Sequence, residues 1–280
     1  MKKALAVLLF FLMIQIHAQS AAQLHAQSGL RIVVENNATG LTITGSTGNA
    51  NTLSIPDTID GRQITVIGNG AFVAKGLIEV TIPDTVTSIG ESAFAFNKLE
   101  SVTIGSNVAR IGSGAFKSNK LINVTLGTSL VTIGKGAFSD NMIESIILPE
   151  GLTLIDNYAF FGNKLRNIEI PASVTTIGEG AFSGNRFTSV VIGSGVTVIK
   201  DGAFYNNFIT SVTIPSSLQT LGSRAFDQRS ADGRIRGNIV YTDISGNVLY
   251  TTANNFDNFY ASNGKAPGRY ILLDGSWSME

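Results

Sequence analysis

Val80–Phe94 reads VTIPDTVTSIGESAF, a stretch almost empty of reactive chemistry: two short β-branched runs, a proline, a glycine and an Ala-Phe pair. The phrase returns as VTIGSNVARIGSGAF from Val102, VTLGTSLVTIGKGAF from Val124 and IEIPASVTTIGEGAF from Ile168. The Ala-Phe pair sets the beat. It begins at Ala71, Ala93, Ala115, Ala137, Ala159, Ala181, Ala203 and Ala225, a step of 22 residues taken seven times in succession. A fixed period of this length marks a solenoid, in which no single copy can bury its own apolar face and neighbours build a shared core.

With the alanine as position one, phenylalanine fills position two in every copy. Apolar residues recur at positions seven, ten, twelve, sixteen and nineteen, for example Leu99, Val102, Ile104, Val108 and Ile111. Positions ten and twelve alternate with polar nine and eleven, the pattern of a half-buried strand. Proline or glycine at position thirteen ends it, since proline is tolerated beyond a ladder. A second, weaker extended piece covers positions sixteen to nineteen, and GESAF or GEGAF turns the chain in one helical turn that drops phenylalanine into the core. Position five is Asn97, Asn119, Asn141, Asn163, Asn185 and Asn207, with Lys75 the exception. Buried turns leave backbone groups that need partners, and asparagine carries donors and an acceptor on one short arm. An asparagine ladder between coils is expected, in preference to a catalytic or metal-binding row.

The 280 residues hold 20 Lys plus Arg against 20 Asp plus Glu, and only 14% are charged, so no basic face for nucleic acid is indicated. Cysteine is absent, which removes disulfides, thiol catalysis and cysteine-based zinc sites. Histidine occurs only at His17 and His25. Both lie near a leader, MKKALAVLLFFLMIQIHAQSAAQ, whose basic start, short apolar run and small-residue exit read as a secretory signal peptide over residues 1–22. No later apolar run is long enough to span a bilayer, so no transmembrane segment is expected in the mature chain.

An open solenoid needs caps. Leu30–Thr44 reads as an N-terminal hairpin. After Phe226 the register fails. IVYTDISGNVLY offers one further strand pair, Phe256, Phe259 and Tyr260 fall at helical spacing, and GRYILL and Trp277 close the chain. The aromatic cluster reads as cap core rather than a ligand platform.

At these residues the sequence resembles a BspA-like, or Treponema-type, bacterial leucine-rich repeat. The pattern LxxVTIPxSVTxIGxGAFxxN carries the resemblance, and LRNIEIPASVTTIGEGAFSGN, Leu165–Asn185, is a clean copy. The likeness runs from about Asn51 to Phe226. Asn at position five replaces the cysteine of many members. The resemblance implies a β-rich solenoid of 22-residue coils with a parallel concave sheet, short helical or 3-10 turns, and caps at both ends; the alternative is a right-handed parallel β-helix. The expected layout is signal peptide 1–22, N-terminal cap and first coil 29–60, solenoid 61–226 and C-terminal cap 227–280. The family implies an exported surface protein that binds macromolecules, as a fold alone does not specify function.

The concave strand face would display position eleven: Thr81, Thr103, Thr125, Ile147, Glu169, Val191 and Thr213. At the spacing of β-strands, seven copies present a face about 30 Å long, suited to a protein loop or glycan chain. These seven are the candidate ligand-binding residues; the competing reading of the threonines is strand propensity. Position six gives Lys98, Lys120, Lys164 and Arg186, a basic edge for an acidic partner or a solvated rim that blocks aggregation. No catalytic residue, metal site or cofactor is indicated. The expected function is binding of an extracellular protein or glycan, such as host matrix or another cell's surface; a self-assembling envelope component is the alternative. Against an enzyme stand the missing cysteine and the lack of a nucleophile or paired-carboxylate motif.

Overall fold

Coil-to-coil hydrogen bonding decides the architecture, and three of its lines shape the strands and the Ala-Phe turn. The computed structural model describes residues 29–209 and 211–226, and the backbone of strands Val240–Thr242, Val248–Tyr250, Tyr270–Leu273 and Ser276–Met279. The first line is the piece expected to be weaker. Short parallel strands at positions eighteen and nineteen, Ser88–Ile89, Arg110–Ile111, Thr132–Ile133, Leu154–Ile155, Thr176–Ile177, Val198–Ile199 and Thr220–Leu221, form an unbroken sheet. Bonds on either side lengthen each rung: the Thr87 N–H donates to Thr65 O at 2.8 Å and the Gly90 N–H to Ile67 O at 2.7 Å. Position twenty is glycine in most coils, and Asp156 and Lys200 make the same bond there, to Ile133 O and Ile177 O, both at 3.0 Å. A Cβ on Gly112 would stand 2.6 Å from the carbonyl carbon of Gly90.

The second line holds the strands expected to dominate, and it is interrupted. Thr52–Ser54, Glu79–Thr81, Ser101–Thr103 and Asn123–Thr125 form a four-stranded parallel sheet at positions nine to eleven. Pairing lapses through residues 145–147, resumes as a single bridge from Glu169 to Val191, and continues through Ser189–Val191, Ser211–Thr213 and Val240–Thr242. The core loosens in the coil before the lapse, where Val124 and Leu126 are only half-buried, while Ile146 and Leu148 in the lapse stay buried.

The third line is the Ala-Phe turn, expected to be helical or 3-10. Among the described residues it is neither. The N–H groups of positions twenty-two, two and four donate to carbonyls of the following coil: Ser92 to Ser113 at 2.8 Å, Phe94 to Ala115 at 2.7 Å and Phe96 to Lys117 at 3.0 Å. A helix would need some of these donors for its own turn. The backbone is also left-handed at both ends of the turn. Position twenty-two has φ of 53–62° in all eight turns from Gly70 to Arg224, and position four has φ of 53–70° from Ala74 to Asn206. Such residues end right-handed turns.

The asparagine ladder forms as expected. Asn163 Nδ2 donates to Phe138 O at 2.9 Å in the preceding coil and to Phe160 O at 3.1 Å in its own, while its Oδ1 accepts the Ile143 N–H at 3.1 Å. Asn97, Asn119, Asn141, Asn185 and Asn207 repeat the arrangement. Inside, the position-two rings from Phe72 to Phe226 stack with centroids 5.1–5.4 Å apart and planes within 13°. At this separation the rings are in the favourable range for aromatic pairs.

At the N-terminus, Leu30–Asn36 pairs antiparallel with Leu41–Gly48, which lies parallel to Arg62–Ile67. This hairpin buries Leu30, Ile32, Leu41 and Ile43 over the first coil. Leu53 pairs with Val80, 27 residues on rather than 22, and the residues around Asp60–Gln63, DGRQ, that lengthen this coil make a smaller hairpin, Thr58–Ile59 against Arg62–Ile67, turning at Asp60 and Gly61 with φ of 51° and 74°. Two left-handed turn residues match the twist of the strands they join. Beyond the repeats, Val240–Thr242 and Val248–Tyr250 pair antiparallel, as do Tyr270–Leu273 and Ser276–Met279. The leader, His17, His25 and the cluster Phe256, Phe259 and Tyr260 lie outside the described residues.

Phe160→Ala should cost about 3–5 kcal/mol in reversible denaturation, the range for emptying a phenylalanine site; a loss below about 1 kcal/mol would contradict the stack. Asn163→Ala should cost at least about 2 kcal/mol, because it strands several buried backbone groups at once. Stability equal to wild type would show that water replaces the amide.

Candidate functional site

Two of the threonine columns on this solenoid, at positions eleven and seventeen, are used differently by the structure. At position seventeen the hydroxyls are engaged: Thr87 donates to Thr65 O at 3.0 Å, Thr153 to Val131 O at 3.2 Å, Thr175 to Thr153 O at 3.3 Å and Thr197 to Thr175 O at 3.2 Å. These threonines hold coils together. At position eleven Thr81, Thr103 and Thr125 stand in direct register on neighbouring strands, exposed, and their hydroxyls bond to no described residue. Hydroxyls both give and accept hydrogen bonds, so this column faces outward with its capacity unspent.

The seven candidate residues form two registered groups rather than one row. Thr81, Thr103 and Thr125 make the first; Glu169, Val191 and Thr213 make the second. Ile147 falls in the lapse between them, 89% exposed, and Val191 is 48% exposed. Glu169 is exposed and Thr213 half-buried. The face therefore offers hydroxyls at one end and two apolar side chains around a carboxylate at the other. Beside it, Lys98, Lys120 and Arg186 are exposed and Lys164 half-buried along position six, with Met142 interrupting and Phe208 extending the row.

The sequence reading missed the opposite side. Tyr158 and Arg224 occupy left-handed position twenty-two, where glycine is the rule. The Tyr158 hydroxyl donates to Glu179 Oε1, and Arg224 lies 4.5 Å from the centroid of the Tyr205 ring. The bond to Glu179 holds the Tyr158 phenol above its ordinary pKa, with smaller contributions from desolvation and the negative charge. The signal was present as the breaks in GxGAF at DNYAF and SRAF, which hydrophobic periodicity does not register. Elsewhere Asp84 accepts the Ser106 N–H at 2.6 Å, and hydrogen bonds from Ser106 hold its carboxyl below the usual value. Among the described residues no three His, Asp or Glu side chains cluster as metal ligands.

The family model for the BspA type leucine-rich repeat region matches residues 46–166, 111–231 and 153–263, in six copies. The chain belongs to this family. Among solved structures, a leucine-rich cell surface protein from Faecalibacterium prausnitzii is similar at 26% identity and a TM-score of 0.54, covering 80% of this chain. The chain spans only 57% of that protein's length. A leucine-rich repeat protein from Bacteroides ovatus matches at 24% identity, with a TM-score of 0.45 and coverage of 76% and 70% of the two chains. The leucine-rich repeat protein of T. pallidum matches at 20% identity, with a TM-score of 0.44 and coverage of 71% and 86%. No curated protein matches the chain. Membership in this BspA-type family suggests a protein-interaction role. Among the described residues no helix is long and apolar enough to cross a membrane.

The Tyr158 contact is testable in solution. In an ultraviolet difference titration between the wild type and Tyr158→Phe, the Tyr158 phenol should ionise above the ordinary tyrosine value of about 10. Glu179→Gln should bring it down towards that value; an unchanged titration would mean that Glu179 is not its partner.

Proposed function

We propose that this BspA-type protein is exported and non-catalytic, and that it binds a protein or glycan of host matrix or another cell through the position-eleven face. The observation that carries the reading is the contrast between the two threonine columns. One column is consumed in holding coils together; in the other, Thr81, Thr103 and Thr125 present hydroxyls with no partner among the described residues, and Ile147 and Val191 are exposed further along. Apolar side chains flanked by hydrogen-bonding groups are the ordinary make-up of an interaction patch. Export is supported by the leader over residues 1–22, and surface placement by the description of the F. prausnitzii relative as a cell surface protein. The face is open and extended, unlike the concave pockets that enclose small substrates.

The test is a pull-down of mature protein against matrix proteins and the producing cell's surface extract, followed by affinity measurements on what is recovered. Ile147→Lys with Val191→Lys should weaken binding by about tenfold or more, roughly 1.4 kcal/mol. Lys117→Glu with Lys135→Glu, on the Ala-Phe side, should leave it unchanged. The reverse pattern in folded variants would refute the assignment of the face. Recovery of nothing but further copies of the chain would favour a self-assembling envelope component instead.

A further inference from the structure

Glycine fills five of the eight left-handed sites at position twenty-two; Ser92, Tyr158 and Arg224 fill the others. A bulky side chain in that conformation is strained, and strain retained against an available glycine points to a local use. Tyr158 and Arg224 bracket Gly180 and Gly202 on the two coils between them. The missing side chains leave a cavity of about 350 Å³, open on one side, with the Tyr158 and Tyr205 rings as walls and Glu179 and Asp201 among its lining residues. Its size falls within the range of ligand clefts, about 300–1,000 Å³.

The walls are held in place. The Tyr158 ring covers Gly180, where a Cβ would come within 2.5 Å of Tyr158 Cε1, and it makes a T-shaped contact with the Phe161 ring at a centroid distance of 6.1 Å. Its hydroxyl is tied to Glu179 Oε1. Asp201 Oδ1 accepts the Ser223 N–H at 2.8 Å. Each carboxylate thus has one oxygen committed and a second with no partner among the described residues.

We propose that this groove binds a neutral saccharide. A ligand cation would have to compete for the Tyr205 ring with the guanidinium of Arg224, which already lies 4.5 Å from its centroid. A ligand anion would face Glu179 and Asp201. A sugar ring is neutral, has C–H faces that lie against an aromatic ring such as that of Tyr158, and carries hydroxyls that donate to carboxylate oxygens. The groove is on the Ala-Phe turns, so the inference stands apart from the position-eleven face and survives its failure.

Isothermal titration of the mature chain with neutral hexasaccharides of α-1,4-glucose, β-1,4-glucose, β-1,4-mannose and β-1,4-N-acetylglucosamine should show saturable binding of at least one. Tyr158→Gly and Tyr205→Ala should each weaken it by about tenfold or more, while Ile147→Lys with Val191→Lys leaves it unaltered. Tyr158→Gly installs the residue natural to the turn, so its unfolding midpoint should be unchanged or higher and loss of binding there is not loss of fold. Absence of saturable binding by all four sugars, or binding that survives both groove variants, overturns the proposal. Preferential binding of a hexalysine peptide, lost in the same variants, overturns the ligand assignment and makes the groove a cation site.

Discussion

Everything in this solenoid depends on each coil returning its backbone to the same register after 22 residues. Parallel ladders, stacked rings and bridging amides all join a residue to its counterpart one period away: Ile89 to Ile111, Phe94 to Phe116, and Asn119 to carbonyls in both coils. An insertion within a coil would break all three together. The hairpin around Asp60 and Gly61 is therefore informative, because it carries its additional residues out of the coil and lets Arg62–Ile67 rejoin the sheet beside Ser88–Ile89. Stability in such an array is close to a sum over neighbouring coils.

Much of this was legible in the sequence because the period and the buried positions are written in side-chain type. Phe at position two, aliphatics at nineteen and Asn at five could be assigned inward roles from polarity and recurrence alone. The conformation of the turn could not. Left-handed φ at positions twenty-two and four leaves no mark in hydrophobic periodicity, and at position four it is carried by Ala74, Phe96, Ser118 and Asp140 as well as by glycine. The relative continuity of the two strand lines was also hidden. Val-Thr-Ile looks like a stronger strand than Thr-Ile, yet the shorter piece is the one that pairs without a break.

The candidate face was legible as a column and illegible as a site. Alternation assigns Thr81, Thr103 and Thr125 outward, but Thr153 and Thr175 are outward too. What separates them is whether a carbonyl of the preceding coil lies within reach of the hydroxyl. That depends on the geometry of neighbouring coils, which no local pattern contains. The lapse around Ile147 has the same origin: its side chain fits the column, and its backbone does not join the ladder.

Repeat architecture also explains how strained residues can persist. A left-handed tyrosine costs about 1–3 kcal/mol, enough to threaten a small domain. Here the same turn is held by the Tyr158 N–H to Glu179 O at 2.7 Å and the Phe160 N–H to Ala181 O at 2.8 Å, with the Phe160 ring stacked on both sides. Neighbouring coils that keep glycine carry no such cost and fix the register for the coil that does. Deviations from the repeat are then confined to positions where the backbone is already determined by its neighbours. Tyr158 and Arg224 occupy such positions, and they face outward, where a change of side chain alters the surface without altering the coil beneath it.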